Sequence, residues 1–142
     1  MAGDDGDYVT GLESRRRFEA AIEEFLRRAT PLSIVIVDVV GLKRVNEERG
    51  FLAGDMVLEE AADRLRAATA TAPRPLGLYR IGGDELVALY AGPDAGQGAE
   101  QAVRMLSRAG AGPALRVGTT AAGPGDTRAT LLDRLYATAR RS

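Results

Sequence analysis

The sequence predicts an α+β domain built on a ferredoxin-like, palm-type antiparallel sheet, with helices packed on one face. Residues 32–38 are almost continuously apolar and β-branched, which indicates a central strand buried on both sides. Apolar runs at 76–81 and 86–90 flank Gly82-Gly83, a pattern typical of a β-hairpin whose tight turn needs positive φ. Segments with helical spacing separate these strands and favour a mixed fold.

Helical and extended segments follow one another along the whole chain. The Gly/Asp-rich residues 1–6 are expected to be frayed, and Ser14 is expected to cap a lead helix that ends near Arg28. Further helices are predicted at 41–49, from about 53 to 70 with Met56 in its apolar stripe, from about 99 to 108 and from about 128, with a last strand at 115–122. The order after the lead helix is β-α-α-β-β-α-β, and no linker divides the 142 residues, so we expect a single domain, 1–142.

The composition excludes several classes of function. The chain has no His and no Cys, which removes Ser-His-Asp and Cys-His nucleophiles, zinc sites built on thiolate or imidazole, and disulfides. A formal net charge of −1 argues against binding to nucleic acid or to a membrane through a polybasic patch. There is no apolar run of about 18 residues and no signal pattern, so we expect a cytoplasmic protein. Carboxylates, hydroxyls, Lys, Arg and a hard cation are left to supply the chemistry.

Three carboxylates are predicted to meet at one edge of the sheet. In the predicted topology the strand that ends at Asp38 lies antiparallel to the strand that begins beside Asp84 and Glu85. Such a cluster on a glycine hairpin suits Mg²⁺ or Mn²⁺ in phosphoryl or nucleotidyl transfer. The alternatives are an acid that merely ends a strand at Asp38, and a solvated turn at 84–85.

Polar residues of the next two helices are predicted to face the same edge. Lys43, the only lysine, and Asn46 lie three residues apart on one helix face, where a lysine suits a phosphate. Asn46 and Asp55 flank the break at Gly50, and together an amide and a carboxylate would fit the edge of guanine. The alternatives are an ordinary surface residue at Asn46, and an acid at Asp55 that complements the dipole in the first turn of its helix.

Three blocks of the sequence resemble the GGDEF domain, the diguanylate cyclase family of bacterial signalling, which condenses two GTP into cyclic di-GMP. The blocks are Asp7 to Leu12 with Arg15, Arg16 and Phe18; Asp38 through Lys43, Asn46, Gly50, Gly54, Asp55 and Leu58; and Arg80 to Leu86, a GGDEL variant of the signature. They occur in the family's order, and the resemblance extends from Asp7 to about Leu132.

The resemblance implies a metal-dependent catalytic site. Asp38, the carbonyl of Val39 and Asp84 would hold Mg²⁺ or Mn²⁺. Glu85 would assist the metal or the attacking 3′-hydroxyl, and Lys43 would act on phosphate.

The same resemblance implies the substrate contacts and the partners. Asn46 and Asp55 would read guanine, and Lys43, Gly82 and Gly83 would approach the phosphates. The expected partners are GTP, the product cyclic di-GMP and a second copy of the chain in a transient homodimer, with no nucleic acid and no membrane.

The chain also departs from the family pattern. Leu86 stands where Phe is usual, Val40 where an acid is usual and Phe51 where His is usual. The late basic stretch that touches the triphosphate is not clearly present, and Arg140 and Arg141 are poor candidates to replace it. Two hypotheses remain: an active or weakly active diguanylate cyclase, and a non-catalytic GGDEF domain that binds GTP or a protein partner.

Two expectations concern regulation. Active family members often carry an Arg-x-x-Asp site that binds cyclic di-GMP just before the hairpin. The matching positions here are Pro73 and Leu76, so we expect no feedback by the product at this place. The first block begins at Asp7, which leaves no room upstream for a dimerising segment, and no helix shows a sustained heptad. We therefore expect a chain that is mainly monomeric or weakly dimeric, and slow.

Overall fold

A computed structural model describes residues 6–108, 110 and 112–141 of the chain. Residues 1–5, which were expected to be frayed, lie outside this part, as does the side chain of Arg141. Gly6 was expected to be frayed as well, but it forms an antiparallel bridge with Glu13. In chain order the elements are β1 (Glu13–Ser14), α1 (Arg15–Arg27), β2 (Leu32–Val39), α2 (Leu42–Arg49), α3 (Phe51–Ala68), β3 (Gly77–Arg80), β4 (Glu85–Ala91), α4 (Ala95–Leu106), β5 (Leu115–Ala121) and α5 (Arg128–Arg141).

The described residues form one five-stranded sheet in the order β1-β3-β4-β2-β5. The four longer strands are antiparallel, and β2 lies beside β4 as the sequence predicts, with β5 on its other side. The short β1 adds a parallel strand beside β3 that the sequence does not predict. Two residues are too few to show the alternation by which a strand is recognised. The fold is therefore α+β with a mixed rather than a purely antiparallel sheet.

Helices cover both faces of the sheet, so the prediction of a single covered face is wrong. Val35 and Val37 of β2 pack in one apolar cluster with residues of α3 and α4. Ile34 and Ile36 point the other way and pack with residues of α1 and α5. Successive side chains of a strand alternate between faces, so a strand that is apolar at nearly every position needs cover on both.

The α2–α3 junction differs in detail from the prediction. The helix expected from about residue 53 begins at Phe51, directly after Gly50, which has a φ of +90° and both ends α2 and leads into α3. Met56, predicted in the apolar stripe, is exposed, whereas Leu58 and Leu65 are buried. Met56 lies two residues before Leu58, about 200° around the helix, so it faces away from the buried stripe of α3.

The other helices agree more closely with the sequence. The Ser14 hydroxyl accepts a hydrogen bond from the Arg17 N–H, 3.2 Å, and caps α1 as predicted. Helix α4 begins at Ala95 rather than near Ala99. Glycine disfavours a helix by propensity, but a β-carbon on Gly98 would overlap the Tyr90 ring, so tight packing requires the small residue.

No helix within the described ranges is long and apolar enough to cross a membrane.

Candidate active site

The hairpin between β3 and β4 closes through a hydrogen bond from the Ile81 N–H to the Glu85 carbonyl, 3.0 Å. Neither Gly82 nor Gly83 has positive φ, so the reason predicted for the glycines is wrong. A β-carbon on Gly82 would instead overlap Oε1 of Glu85, whose side chain lies against the loop. Glycine at this position leaves room for that carboxylate where it lies; with a larger residue the Glu85 side chain would have to move.

Arg80 fastens the hairpin loop to the start of the chain. Its guanidinium donates to the carbonyls of Gly83 (2.7 Å) and Gly82 (3.2 Å) and to Oδ1 of Asp7 (3.0 Å). Asp7 also accepts from the Thr10 N–H (2.8 Å) and hydroxyl (2.7 Å). Burial acts to raise the pKa of Asp7, but the Thr10 hydrogen bonds and Arg80 outweigh it and hold that pKa below its usual value. Arg80 and Asp7 are motif residues for which the sequence suggested no role.

The predicted carboxylates meet at the edge of the sheet. Asp38 stands opposite Glu85 in the β2–β4 register, and the Val39 N–H donates to the Asp84 carbonyl, 2.8 Å. Burial, followed by the charge and hydrogen bonding of Asp84, raises the pKa of Asp38. Burial, followed by the charges of Asp84 and Asp38, raises the pKa of Glu85. The site thus holds negative charge at close range in partly desolvated surroundings.

Arginines from three other elements partly offset this charge. Arg116 of β5 stands opposite Asp38 in register, and its NH1 lies 3.9 Å from Oδ2 of Asp38. The positive charges of Arg15 in α1 and Arg140 in α5 act to lower the pKa of Glu85. Arg116 was not predicted because the pairing register of β5, which places it here, has no local signal.

The acidic residues suit a hard divalent cation by donor type, although the side chains do not form a closed cage. Within the described residues there is no group of three or more acidic side chains arranged to hold a metal ion. Asp38 and Asp84 are the closely interacting pair, and the raised pKa of Asp38 reflects an electrostatic cost that a cation between them would relieve. The residues present therefore fit Mg²⁺ or Mn²⁺.

A cavity of about 410 Å³ opens beside Asp84, between α2, α3 and the hairpin. Its lining includes five residues predicted for the site, namely Lys43, Asn46, Asp55, Gly83 and Asp84, together with Leu42, Phe51, Leu58 and Arg80. Gly82, Glu85, Asp38 and Val39, the other predicted site residues, lie in the adjoining loop and strand ends. Asp84 thus belongs both to the acidic pair and to the cavity wall.

The two residues predicted to read a base are brought together by the packing of α2 on α3. A β-carbon on Gly54 would overlap Oδ1 of Asn46, so α3 approaches that amide closely only because this position is glycine. Helix α3 begins at Phe51, which places Asp55 beyond its first turn. The alternative explanation of Asp55 as a first-turn acid is therefore wrong. Gly54 belongs to the second sequence block, but the sequence alone does not indicate that it makes room for Asn46.

Comparisons with known proteins agree with this geometry. The family model described as "Diguanylate cyclase, GGDEF domain" matches residues 5–116. A Streptomyces griseus protein described as "Uncharacterized protein in hutH 5′ region" is 37% identical over 107 residues, 72% of this chain and 44% of that protein. Diguanylate cyclase DgcS of Shewanella oneidensis is 29% identical over 90 residues, 61% of this chain and 29% of that protein. The chain thus spans less than half the length of either relative.

The fold has a close structural counterpart. The GGDEF domain of DgcB from Caulobacter crescentus, solved in complex with c-di-GMP, matches with a TM-score of 0.78 at 20% identity over 97% of this chain and 89% of that chain. At this identity the likeness shows the fold. Together with the family match over most of the sequence, it leads to one conclusion: the chain belongs to the GGDEF domain family of diguanylate cyclases.

Proposed function

We propose that the chain binds GTP with a divalent cation and condenses two GTP molecules into cyclic di-GMP. The observation that carries this proposal is that Asp84 belongs to two features of the site. It pairs with Asp38 at the sheet edge, and it also lines the cavity whose polar walls include Lys43, Asn46 and Asp55. One ligand with a base, a phosphate chain and a bound cation would satisfy all of these groups at once.

Asn46 and Asp55 supply the base selectivity in this proposal. The carboxylate of Asp55 accepts two N–H bonds from the Watson–Crick edge of guanine, which adenine does not offer in that arrangement. An unpaired polar group in such a pocket costs about 1–3 kcal/mol, so adenine should bind about 5- to 150-fold more weakly.

Lys43 and the hairpin act on the phosphates. Lys43 lines the same cavity as Gly83, and its ammonium group would neutralise phosphate oxygens there. The backbone of Gly82 and Gly83 lets the phosphate chain approach closely. Both carbonyls are held in place by Arg80, so the loop is ordered before the substrate arrives.

Asp38, Asp84 and the carbonyl of Val39 would hold Mg²⁺ or Mn²⁺ at the sheet edge. When bound, the cation would neutralise phosphate charge and activate the attacking hydroxyl. Glu85, whose pKa is raised by burial and by its acidic neighbours, assists at the 3′-hydroxyl or at the cation.

The proposed reaction balances without an added reactant. The 3′-oxygen of one GTP forms a bond to the α-phosphorus of the other, the bond from that phosphorus to the β-phosphate oxygen breaks, and pyrophosphate and a proton leave. Repeating the step in the opposite direction closes the ring. Each chain holds one GTP, so a transient homodimer is required, and we place the reaction in the cytoplasm, where GTP is available.

A second candidate function is GTP or protein binding without turnover. It is favoured by the apolar, exposed side chain of Val40, at a position where family members usually have an acid, and by the position of Glu85 against Gly82. Incubation with GTP and Mg²⁺ or Mn²⁺, followed by mass analysis, separates the two. Cyclic di-GMP with release of two pyrophosphates supports the cyclase. Bound but unconverted GTP supports the second candidate. Failure to bind GTP contradicts the cyclase and leaves the second candidate only in its protein-binding form.

A further inference from the structure

Phe51 is a large apolar residue that the fold itself leaves largely uncovered. Its side chain is 76% exposed at the first position of α3. It nevertheless lines the same cavity as Asn46 and Asp55. Its neighbour Leu52 is 77% exposed and is not among the described residues that line this cavity. Phe51 therefore contributes little to the folded core but faces the space that a ligand would fill.

The cavity combines two kinds of wall. Asn46 and Asp55 offer hydrogen-bonding groups, which recognise the edge of a flat heterocycle. Leu42, Leu58 and Phe51 offer apolar surface, which suits the faces of the same ring. Aromatic side chains stack on nucleic-acid bases regardless of base identity, because each base has a π-face.

We propose that Phe51 is a base-stacking residue, whose ring covers one face of the purine held at its edge by Asn46 and Asp55. This inference rests on the proposed GTP site and adds a division of labour to it. Phe51 contributes affinity for any purine, whereas Asp55 contributes the preference for guanine. Phenyl has no ionisable group, so the stacking contribution does not change with pH.

These separate roles of Phe51 and Asp55 are tested by calorimetry in the presence of Mg²⁺, with non-hydrolysable analogues of GTP and of inosine triphosphate. Inosine lacks the exocyclic amine, so it cannot give Asp55 the second N–H bond. Phe51→Ala should weaken the binding of both analogues by the same factor, about 5- to 150-fold. Phe51→Tyr should restore affinity, and Phe51→Leu should not, because it keeps apolar bulk without a ring.

Two controls make the outcomes distinct. Leu52→Ala removes an equally exposed apolar side chain beside Phe51 and should leave both affinities unchanged. Asp55→Ala should abolish the preference for the GTP analogue over the inosine analogue. Because Phe51 is mostly exposed, thermal melting of its variants should match that of the wild type.

If Phe51→Ala binds both analogues as tightly as the wild type while Asp55→Ala loses its selectivity, the stacking role is refuted and the GTP site stands. If Asp55→Ala also binds unchanged, or the wild type binds neither analogue, the base pocket itself is refuted and the stacking role with it. A loss in Phe51→Ala confined to the GTP analogue would also refute stacking, because it would assign an edge-specific role to the ring.

Discussion

Replacement of Arg80 by methionine should destabilise the domain through loss of the clamp on the hairpin. Methionine has similar length but no donors. The carbonyls of Gly82 and Gly83 and the carboxylate of Asp7 therefore lose their hydrogen bonds to the guanidinium, and Asp7 keeps only those from Thr10. The side chains of Arg80 and Asp7 are only 20% and 19% exposed, so water replaces those bonds incompletely. Breaking a fully buried ion pair costs about 3–5 kcal/mol, and for this partly exposed pair we expect about 2–3 kcal/mol.

Urea unfolding and thermal melting measure this effect. For a domain of this size, 2–3 kcal/mol corresponds to a melting temperature lower by roughly 6–9 °C. Arg44→Met is the matched control, because the Arg44–Glu48 ion pair is exposed and should contribute no more than about 0.5 kcal/mol. Equal stability of Arg80→Met and the wild type, or equal losses of unfolding free energy in Arg80→Met and Arg44→Met, would refute the stabilising role of the Arg80 hydrogen bonds.

The effect of Arg80→Met should also depend on pH. Asp7 has a pKa below its unfolded value, so its contribution to stability is complete above about pH 3.9 and is lost as pH falls through its folded pKa. Arg80 is one cause of that lowered pKa. The destabilisation should therefore be full at pH 7 and smaller below about pH 4.

Three further results are expected. Without divalent cation, Asp38→Asn should raise the unfolding free energy at pH 7, because burial and Asp84 raise the pKa of Asp38 and make its ionised form costly in the folded state. The gain in unfolding free energy should shrink as pH falls from that raised pKa toward about 3.9. A gain that does not change with pH in chemical-denaturation curves would contradict this. Added cyclic di-GMP should leave the rate nearly unchanged below concentrations that compete with GTP, because Pro73 and Leu76 offer no side-chain hydrogen bonds; strong non-competitive inhibition would oppose that result. Specific activity should rise with protein concentration, and also on fusion of a dimerising coiled coil before Met1, because the transient homodimer brings the two GTP molecules together. If specific activity stays flat across a hundredfold dilution while sedimentation shows a monomer, the homodimer requirement is refuted.

The sequence was most informative where one residue pattern determines one arrangement. The apolar run of β2 and the hairpin gave the neighbouring strands, and with them the convergence of Asp38 on Asp84 and Glu85. The spacing of Lys43 and Asn46 on α2 placed both on the wall of one cavity. These features follow from local periodicity and from a topology with few alternatives.

The remaining features depend on contacts between distant segments. Arg80 contacts Asp7 although the two lie 73 positions apart in the sequence, and Arg116 lies beside Asp38 only through the register of β5. The role of Gly54 depends on how closely α3 packs on Asn46. The nearly continuous apolar pattern of β2 requires helices on both faces of the sheet, whereas the predicted ferredoxin-like plan has them on one face.

The rate of cyclic di-GMP formation by Asp84→Ala tests the central claim most directly. Asp84 links the acidic pair to the nucleotide cavity, so its removal should abolish product while the melting temperature stays at or above that of the wild type. The measurement compares product mass per unit time for the two proteins with GTP and Mg²⁺. No product from a folded variant is the predicted result, and wild-type turnover by Asp84→Ala would contradict the assignment of the site.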